Sequence, residues 1–262
     1  MSWRAGMAAA AAAAIWLAAL PLLAAEEAAP PLRSGTAFLS PELKALQADS
    51  FANPGMLWVG EGEQLWQARS GAAGKSCASC HGDASASMKG VAARYPAIDP
   101  ASGKLFNLEL RINACRTKNM SAAPLDYESN GLLSLTAYVA FQSRGEPTRV
   151  EVSGAAAPYY ERGKAAFFTR QGQLNLACSQ CHVDYAGRRL RGDIVSYGLG
   201  VGYPVYRLEW QNLGSLHRRL RSCSFGVRAV QFDYGSEDYL SLELYLAKRA
   251  EGLRVDAPAI RK

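Results

Sequence analysis

Two pentapeptides in this chain have a residue order that suits one particular chemistry. Cys77-Ala78-Ser79-Cys80-His81 and Cys178-Ser179-Gln180-Cys181-His182 are both C-x-x-C-H. In that order two thiols add to the vinyl groups of a haem while the histidine reaches the iron from the same turn of helix. Half a zinc site or a redox dithiol are the competing chemistries, and zinc needs further ligands at short spacing. The chain has 3 histidines in all, so beyond the two motifs only His217 remains. Two copies of the motif therefore point to two covalently bound haem c groups.

One further cysteine follows each motif, Cys115 and then Cys223, and each has an arginine four residues before it, Arg111 and Arg219. Methionine is a common distal partner for such a haem, whereas a thiolate pushes electron density onto the iron. The 5 methionines are Met1, Met7, Met56, Met88 and Met120, so none lies in the second half. There the distal position falls to Cys223, His217, a lysine or water. Cys223 is preferred because Cys115 occupies the matching place, while no histidine matches His217. In the first half Met120 competes with Cys115, and Met88 follows His81 too closely to cross to the far face. A Cys115–Cys223 disulfide is the plain alternative in an exported protein. It would require both residues to leave their own motifs and approach within about 7 Å between Cα atoms. Cys223 stands among Arg218, Arg219 and Arg221. Nearby positive charge lowers a thiol pKa, and a guanidinium fork suits the oxygens of a small anion. Three such neighbours cannot share one helix face, so one or two are expected to meet an anion.

The elements that position these groups occur twice. Helices are predicted over 57–69 and 158–169, each feeding a motif. Later ones cover 129–143 and 236–250, the former with Leu132, Leu135, Tyr138 and Val139 at three-to-four spacing. The last two match at Ser129/Ser236, Ser134/Ser241, Leu135/Leu242, Tyr138/Tyr245, Ala140/Ala247 and Gly145/Gly252. Similarity at one large spacing marks a duplicated domain. The segments 105–115 and 208–223 are matched in the same way, and a helix over 41–51 is signalled by Ser40 and Pro41. The expected fold is all-α: two tandem cytochrome c-like domains, 47–149 and 150–262, behind an extended N-terminal segment, 26–46. Arg4, an apolar run from Met7 to Ala25, and then Glu26-Glu27 have the order of a signal peptide, residues 1–25. An uncleaved anchor is the alternative, the run being near the lower limit for spanning. Cleavage would leave a periplasmic protein off the membrane. The net charge is +6 over 262 residues, but no interleaved aromatic and basic patch argues for nucleic acid.

Longer strings carry a resemblance. Gly74-Lys75-Ser76 running into the first motif, Ser87-Met88-Lys89-Gly90-Val91 and Arg111-Ile112-Asn113-Ala114-Cys115-Arg116 are three of them. Gly172-Gln173-Leu174-Asn175-Leu176-Ala177-Cys178 and Tyr206-Arg207-Leu208-Glu209-Trp210-Gln211 are two more. Together they resemble the SoxA family, the diheme subunit of the SoxAX cytochromes of sulfur oxidation, from about Ala45 to near the C-terminus. The resemblance implies that Cys77 and Cys80 attach the first haem, with His81 and Cys115 as its axial ligands. Cys178 and Cys181 would attach the second, with His182 and Cys223 on its iron. It also implies that Cys223 is the catalytic residue, able to carry an extra sulfur, and that Arg219 binds substrate. The implied activity is that of an L-cysteine S-thiosulfotransferase. Thiosulfate is joined oxidatively to a cysteine of the carrier SoxYZ, and two electrons leave through the monohaem partner SoxX. The competing function is a diheme electron-transfer cytochrome without sulfur chemistry. Cys223 among arginines, and a second half without methionine, speak against it.

Overall fold

Side chains at the helix starts write the element boundaries into the chain. Ser40, Ser129, Ser215 and Ser236 each accept a hydrogen bond from the backbone N–H of Leu43, Leu132, Arg218 and Tyr239 respectively. Each satisfies one of the donors a first helical turn leaves free. The computed structural model describes residues 31–262; the predicted signal peptide and the first residues of the extended segment lie outside them. A 3-10 turn, Gly35–Phe38, leads into α1 (Pro41–Ala48), α2 (Met56–Gln67), α3 (Cys77–His81) and α4 (Ala84–Ser87). The hairpin β1 (Ala97–Ile98) and β2 (Leu105–Phe106) follows, then α5 (Leu108–Asn119) and α6 (Asn130–Phe141). The second half runs through α7 (Ala157–Phe168), a π-helical turn at Gln180–Asp184, and the small hairpin β3 (Arg189–Leu190) and β4 (Asp193–Ile194). It continues with β5 (Val205–Arg207), β6 (Asn212–Gly214), α8 (Leu216–Gly226), α9 (Glu237–Arg249) and β7 (Ala259–Arg261).

The described chain is mostly helical and has the cytochrome c fold. Its two main helix contacts are α2 on α6 and α7 on α9, and each turns on a glycine. A Cβ at Gly62 would stand 2.1 Å from the Ser134 carbonyl oxygen, and one at Gly163 would stand 1.9 Å from that of Ser241. Without side chains there, the backbones meet closely enough for Val59, Trp66, Leu133 and Ala137 to close one core. Phe167, Leu242, Tyr245 and Leu246 close another.

The short strands were not expected from sequence. All but β7 lie in the loops after each motif, and β1–β2 and β5–β6 share one register. Ala97 pairs with Phe106 and Ile98 with Leu105; Val205 pairs with Gly214 and Tyr206 with Leu213. This corrects the expected match of 105–115 with 208–223. The counterpart of Leu105 is Leu213 rather than Leu208, and the residues before Leu216 form the hairpin. From Tyr95 to Cys115 and from Tyr203 to Cys223 the two halves therefore superpose without a gap. The second half carries its extra length earlier, in the loop that holds β3 and β4.

After α9 the chain returns to the first half. Gly145 N–H donates to Val255 O at 2.8 Å, and Val255 and Ala257 pack into the core around α2 and α6. The last strand, β7, pairs in parallel with β5. The buried Asn53 side chain donates to Pro258 O at 3.1 Å, and the Ile260 N–H donates to Gln47 Oε1 at 2.9 Å.

Candidate functional site

Each motif is set by a tight loop and a cap. In the first, Ser76 and Ser79 form a reciprocal capping box at the start of α3. In the second, the Ala177 N–H donates to Gln180 Oε1 at 2.9 Å, which does the same work with an amide. The loops ahead of them are pinned at Gly71 and Gly172, both at positive φ. A Cβ at either would strike the carbonyl oxygen of Met120 or Val227, at 2.2 Å in both cases. Met120 is thus the counterpart of Val227, and its backbone caps α5 while its side chain is buried.

Cys115 and Cys223 are not joined in a disulfide. Each lone cysteine faces its own motif instead. Cys115 feels the charge of Cys80, and Cys77 that of Cys115. Cys178 and Cys181 both feel Cys223. His182 Nδ1 lies 2.7 Å from the Ser196 carbonyl oxygen, which makes Nδ1 the protonated nitrogen and leaves Nε2 with its lone pair. Cys223, on α8, faces the imidazole on its other side. Gly198 closes over the ring, where a Cβ would lie 2.8 Å from His182 Cγ.

These residues fit a haem c. Two thiols and an imidazole share one helical turn, and the imidazole is held in the metal-binding tautomer by an outer carbonyl, as iron and zinc ligands commonly are. A thiol faces that imidazole from α8. Val183 and Tyr185, next to the motif, expose apolar surface that a macrocycle would cover. His217, the rival ligand, is turned elsewhere and is 0% exposed. Its Nδ1 accepts the Gly235 N–H at 3.0 Å, its Nε2 stands 3.0 Å from Glu243 Oε2, and its ring stacks on Tyr127.

The surroundings push the two lone cysteines in opposite directions. Burial pushes the Cys115 thiol up, against the pull of Arg111. Burial also opposes ionisation of Cys223, but the neighbouring His182 and the Arg219 and Arg207 charges outweigh it and bring the thiol from 9.0 down to about 7. Of the three arginines beside Cys223, only Arg219 faces it; the thiolate raises the Arg219 pKa in return. Arg218 lies over the Trp210 ring at 4.2 Å and 4.0 Å from Glu128. Arg221 lies over Tyr234 at 4.9 Å and donates to Phe232 O. Sequence reasoning left Ser196, Tyr203 and Arg207 unassigned. The gapless match of the two halves from Tyr95 and Tyr203 onward was the signal that could have found the latter two.

A cytochrome c fold carrying C-x-x-C-H turns that fit haem defines a c-type cytochrome, a binder of haem c. Residues 61–148 match the family model "SoxA/TsdA, cytochrome c domain". The chain is 43% identical over 230 residues to the L-cysteine S-thiosulfotransferase subunit SoxA of Pseudaminobacter salicylatoxidans, covering 87% of this chain and 80% of the relative. It is 40% identical over 230 residues to the subunit of the same name from Rhodovulum sulfidophilum, covering 88% and 80%. In structure it is similar to a chain of the crystal structure of SoxXA from P. pantotrophus. The TM-score is 0.85 at 38% identity, covering 88% of this chain and 87% of that one. The chain belongs to the SoxA family of L-cysteine S-thiosulfotransferase subunits.

Proposed function

We propose that this subunit carries two haem c groups and joins thiosulfate to a cysteine of a SoxYZ-type carrier at Cys223, in the periplasm, with a SoxX-type monohaem cytochrome as partner. The observation that carries the reading is the placement of Cys223 and Arg219 one turn apart on α8, facing a His182 imidazole that Ser196 fixes. The balance is one carrier thiol plus thiosulfate giving the carrier S-thiosulfonate, one proton and two electrons, with the electrons passing to the partner cytochrome. A haem attached at Cys178 and Cys181 supplies a one-electron acceptor beside the reacting sulfur.

The chain's own residues do the rest. Arg219 holds the sulfonate oxygens through its planar fork. Cys223 Sγ is the atom at which sulfur–sulfur bonds are made and exchanged, and its ionised form is the nucleophile. The His182 imidazole, fixed by Ser196, would hold the iron of a haem attached at Cys178 and Cys181, together with Cys223. His81 and Cys115 take the same places in the first half, with Cys77 and Cys80 as attachment points. Met120 is the weaker candidate there, because its counterpart Val227 cannot bind a metal. The division into domains at 149/150 is part of the same proposal, and so is removal of residues 1–25 on export. Among the described residues no helix is long and apolar enough to cross a membrane.

An anaerobic single turnover tests this reading. The holoprotein with its partner cytochrome, thiosulfate and the carrier should add one thiosulfonate to the carrier cysteine and reduce two equivalents of cytochrome haem. Electron flow without a carrier adduct would favour the electron-transfer cytochrome instead.

A further inference from the structure

The two halves use one structural position in opposite ways. In the first half, Asp99 directly follows β1 and is 1% exposed. It accepts from Arg111 Nη2 at 2.7 Å, while Arg111 Nε donates to the Tyr95 hydroxyl at 3.1 Å. The arginine before Cys115 is therefore neutralised within the protein. In the shared register of the two hairpins, Tyr203 stands for Tyr95, Arg219 for Arg111 and Cys223 for Cys115. The residue that stands for Asp99 is Arg207, at the end of β5.

We infer that Arg207 is the second guanidinium of the anion site at Cys223, holding with Arg219 the oxygens of a doubly charged sulfur oxyanion. The inference rests on the reading of Cys223 as the thiosulfate-conjugating residue, and it names what makes one of two matched cysteines the reactive one. Replacing the carboxylate with a second guanidinium turns a closed ion pair into a site with two cations.

Arg207 is built for this place. It is 7% exposed, and its Nε is buried with no hydrogen-bond partner among the described residues. Its one ion pair among the described residues is Nη2 to Glu209 Oε2 at 3.3 Å, with the Glu209 side chain 66% exposed. The guanidinium lies over the Trp210 ring at 5.1 Å, on a ring that also carries Arg218 at 4.2 Å. This fixes its plane without neutralising it. Among the described residues no carboxylate lies within ion-pair distance of Arg219. Charge also places the position beside the sulfur in both halves: Asp99 acts on Cys115 and Arg207 acts on Cys223. A buried cation with an unpaired N–H beside a second cation is costly to keep unless an anion arrives. A dianion meets both cations, whereas a monoanion leaves one unpaired.

The test is anion binding to the oxidised holoprotein without carrier, by calorimetry, using thiosulfate and inorganic sulfate as dianions and nitrate as the monoanion. Arg207→Gln should weaken both dianions about tenfold or more and nitrate much less, with Arg207→Lys between, because lysine keeps charge but loses the fork. Glu209→Gln, at an exposed carboxylate, should fold normally and bind the dianions severalfold more tightly by freeing Arg207. This arm stands if the Arg207 variants do not fold. Dianion affinity unchanged to within about twofold in Arg207→Gln and Glu209→Gln overturns the inference. A shifted potential of the second haem at constant dianion affinity also overturns it, since Arg207 would then serve a propionate. Carrier conjugation is read separately. Normal binding losses with no conjugate formed by the wild type would count against Cys223 as the reacting residue and leave the two-arginine site standing.

Discussion

At the scale of the residue, two matched cysteines differ by what surrounds them. The thiol near Arg111 is raised and the thiol near Arg219 is lowered, although motif, helix and arginine spacing are the same. Arg219→Lys should lower kcat/KM for thiosulfate by about 10- to 100-fold, the worth of ~1–3 kcal/mol of charge-assisted bonding. Steady-state rates at varied thiosulfate check this, and unchanged kinetics would remove Arg219 from the site. Gly198→Ala places a Cβ against the His182 ring, so the imidazole must move off Ser196. The low-temperature electron paramagnetic resonance of the second haem should shift while that of the first stays constant. The two C-x-x-C-H motifs were legible because covalent haem attachment would fix their spacing, and Cys223 and Arg219 stood out because the repeat matches them to Cys115 and Arg111. Ser196, Tyr203 and Arg207 were not, because they reach the site through a loop and a hairpin whose register no local pattern reveals.

The elements were legible in proportion to their length. Helices 129–143 and 236–250 were readable from their serine caps and apolar spacing, and the structure moves their ends only to Asn130–Phe141 and Glu237–Arg249. Strands of two or three residues carry no alternating pattern long enough to see, so β1, β2, β5 and β6 were missed. With them went the true match of Leu105 to Leu213. The glycines at the helix crossings were equally silent, since their role lies in a distant partner. Gly163→Ala should cost ~1–3 kcal/mol by overpacking α7 against α9. Thermal unfolding of the holoprotein should show a fall of several degrees. An unchanged midpoint would mean that the helices slide apart freely.

Between the halves lies a buried acidic cluster that the whole molecule must support. Glu109 is 7% exposed; burial and the nearby Glu243 and Glu128 raise its pKa from the ordinary 4.5 to about 8. Asn107, Tyr127 and His217 complete the same cluster. A carboxyl whose pKa is raised on folding leaves stability intact below about pH 4.5 and lowers it as pH rises toward about 8. Glu109→Gln should therefore raise the unfolding midpoint at pH 8 and change it little at pH 4, which denaturation at the two values would show. Asp99 acts in the opposite sense. Held down to about 2 by Ser102 and Arg111, it stabilises the fold above its ordinary 3.8, and that contribution is lost as pH falls toward 2. The central claim, that sulfur chemistry occurs at Cys223 and only there, is tested most directly by turnover of Cys223→Ala beside Cys115→Ala. Both variants should keep their C-x-x-C-H attachment and fold with haem bound. Thiosulfate-dependent modification of the carrier should fall to background in Cys223→Ala and persist in Cys115→Ala. Near wild-type turnover in Cys223→Ala, with haem in place, would contradict the account.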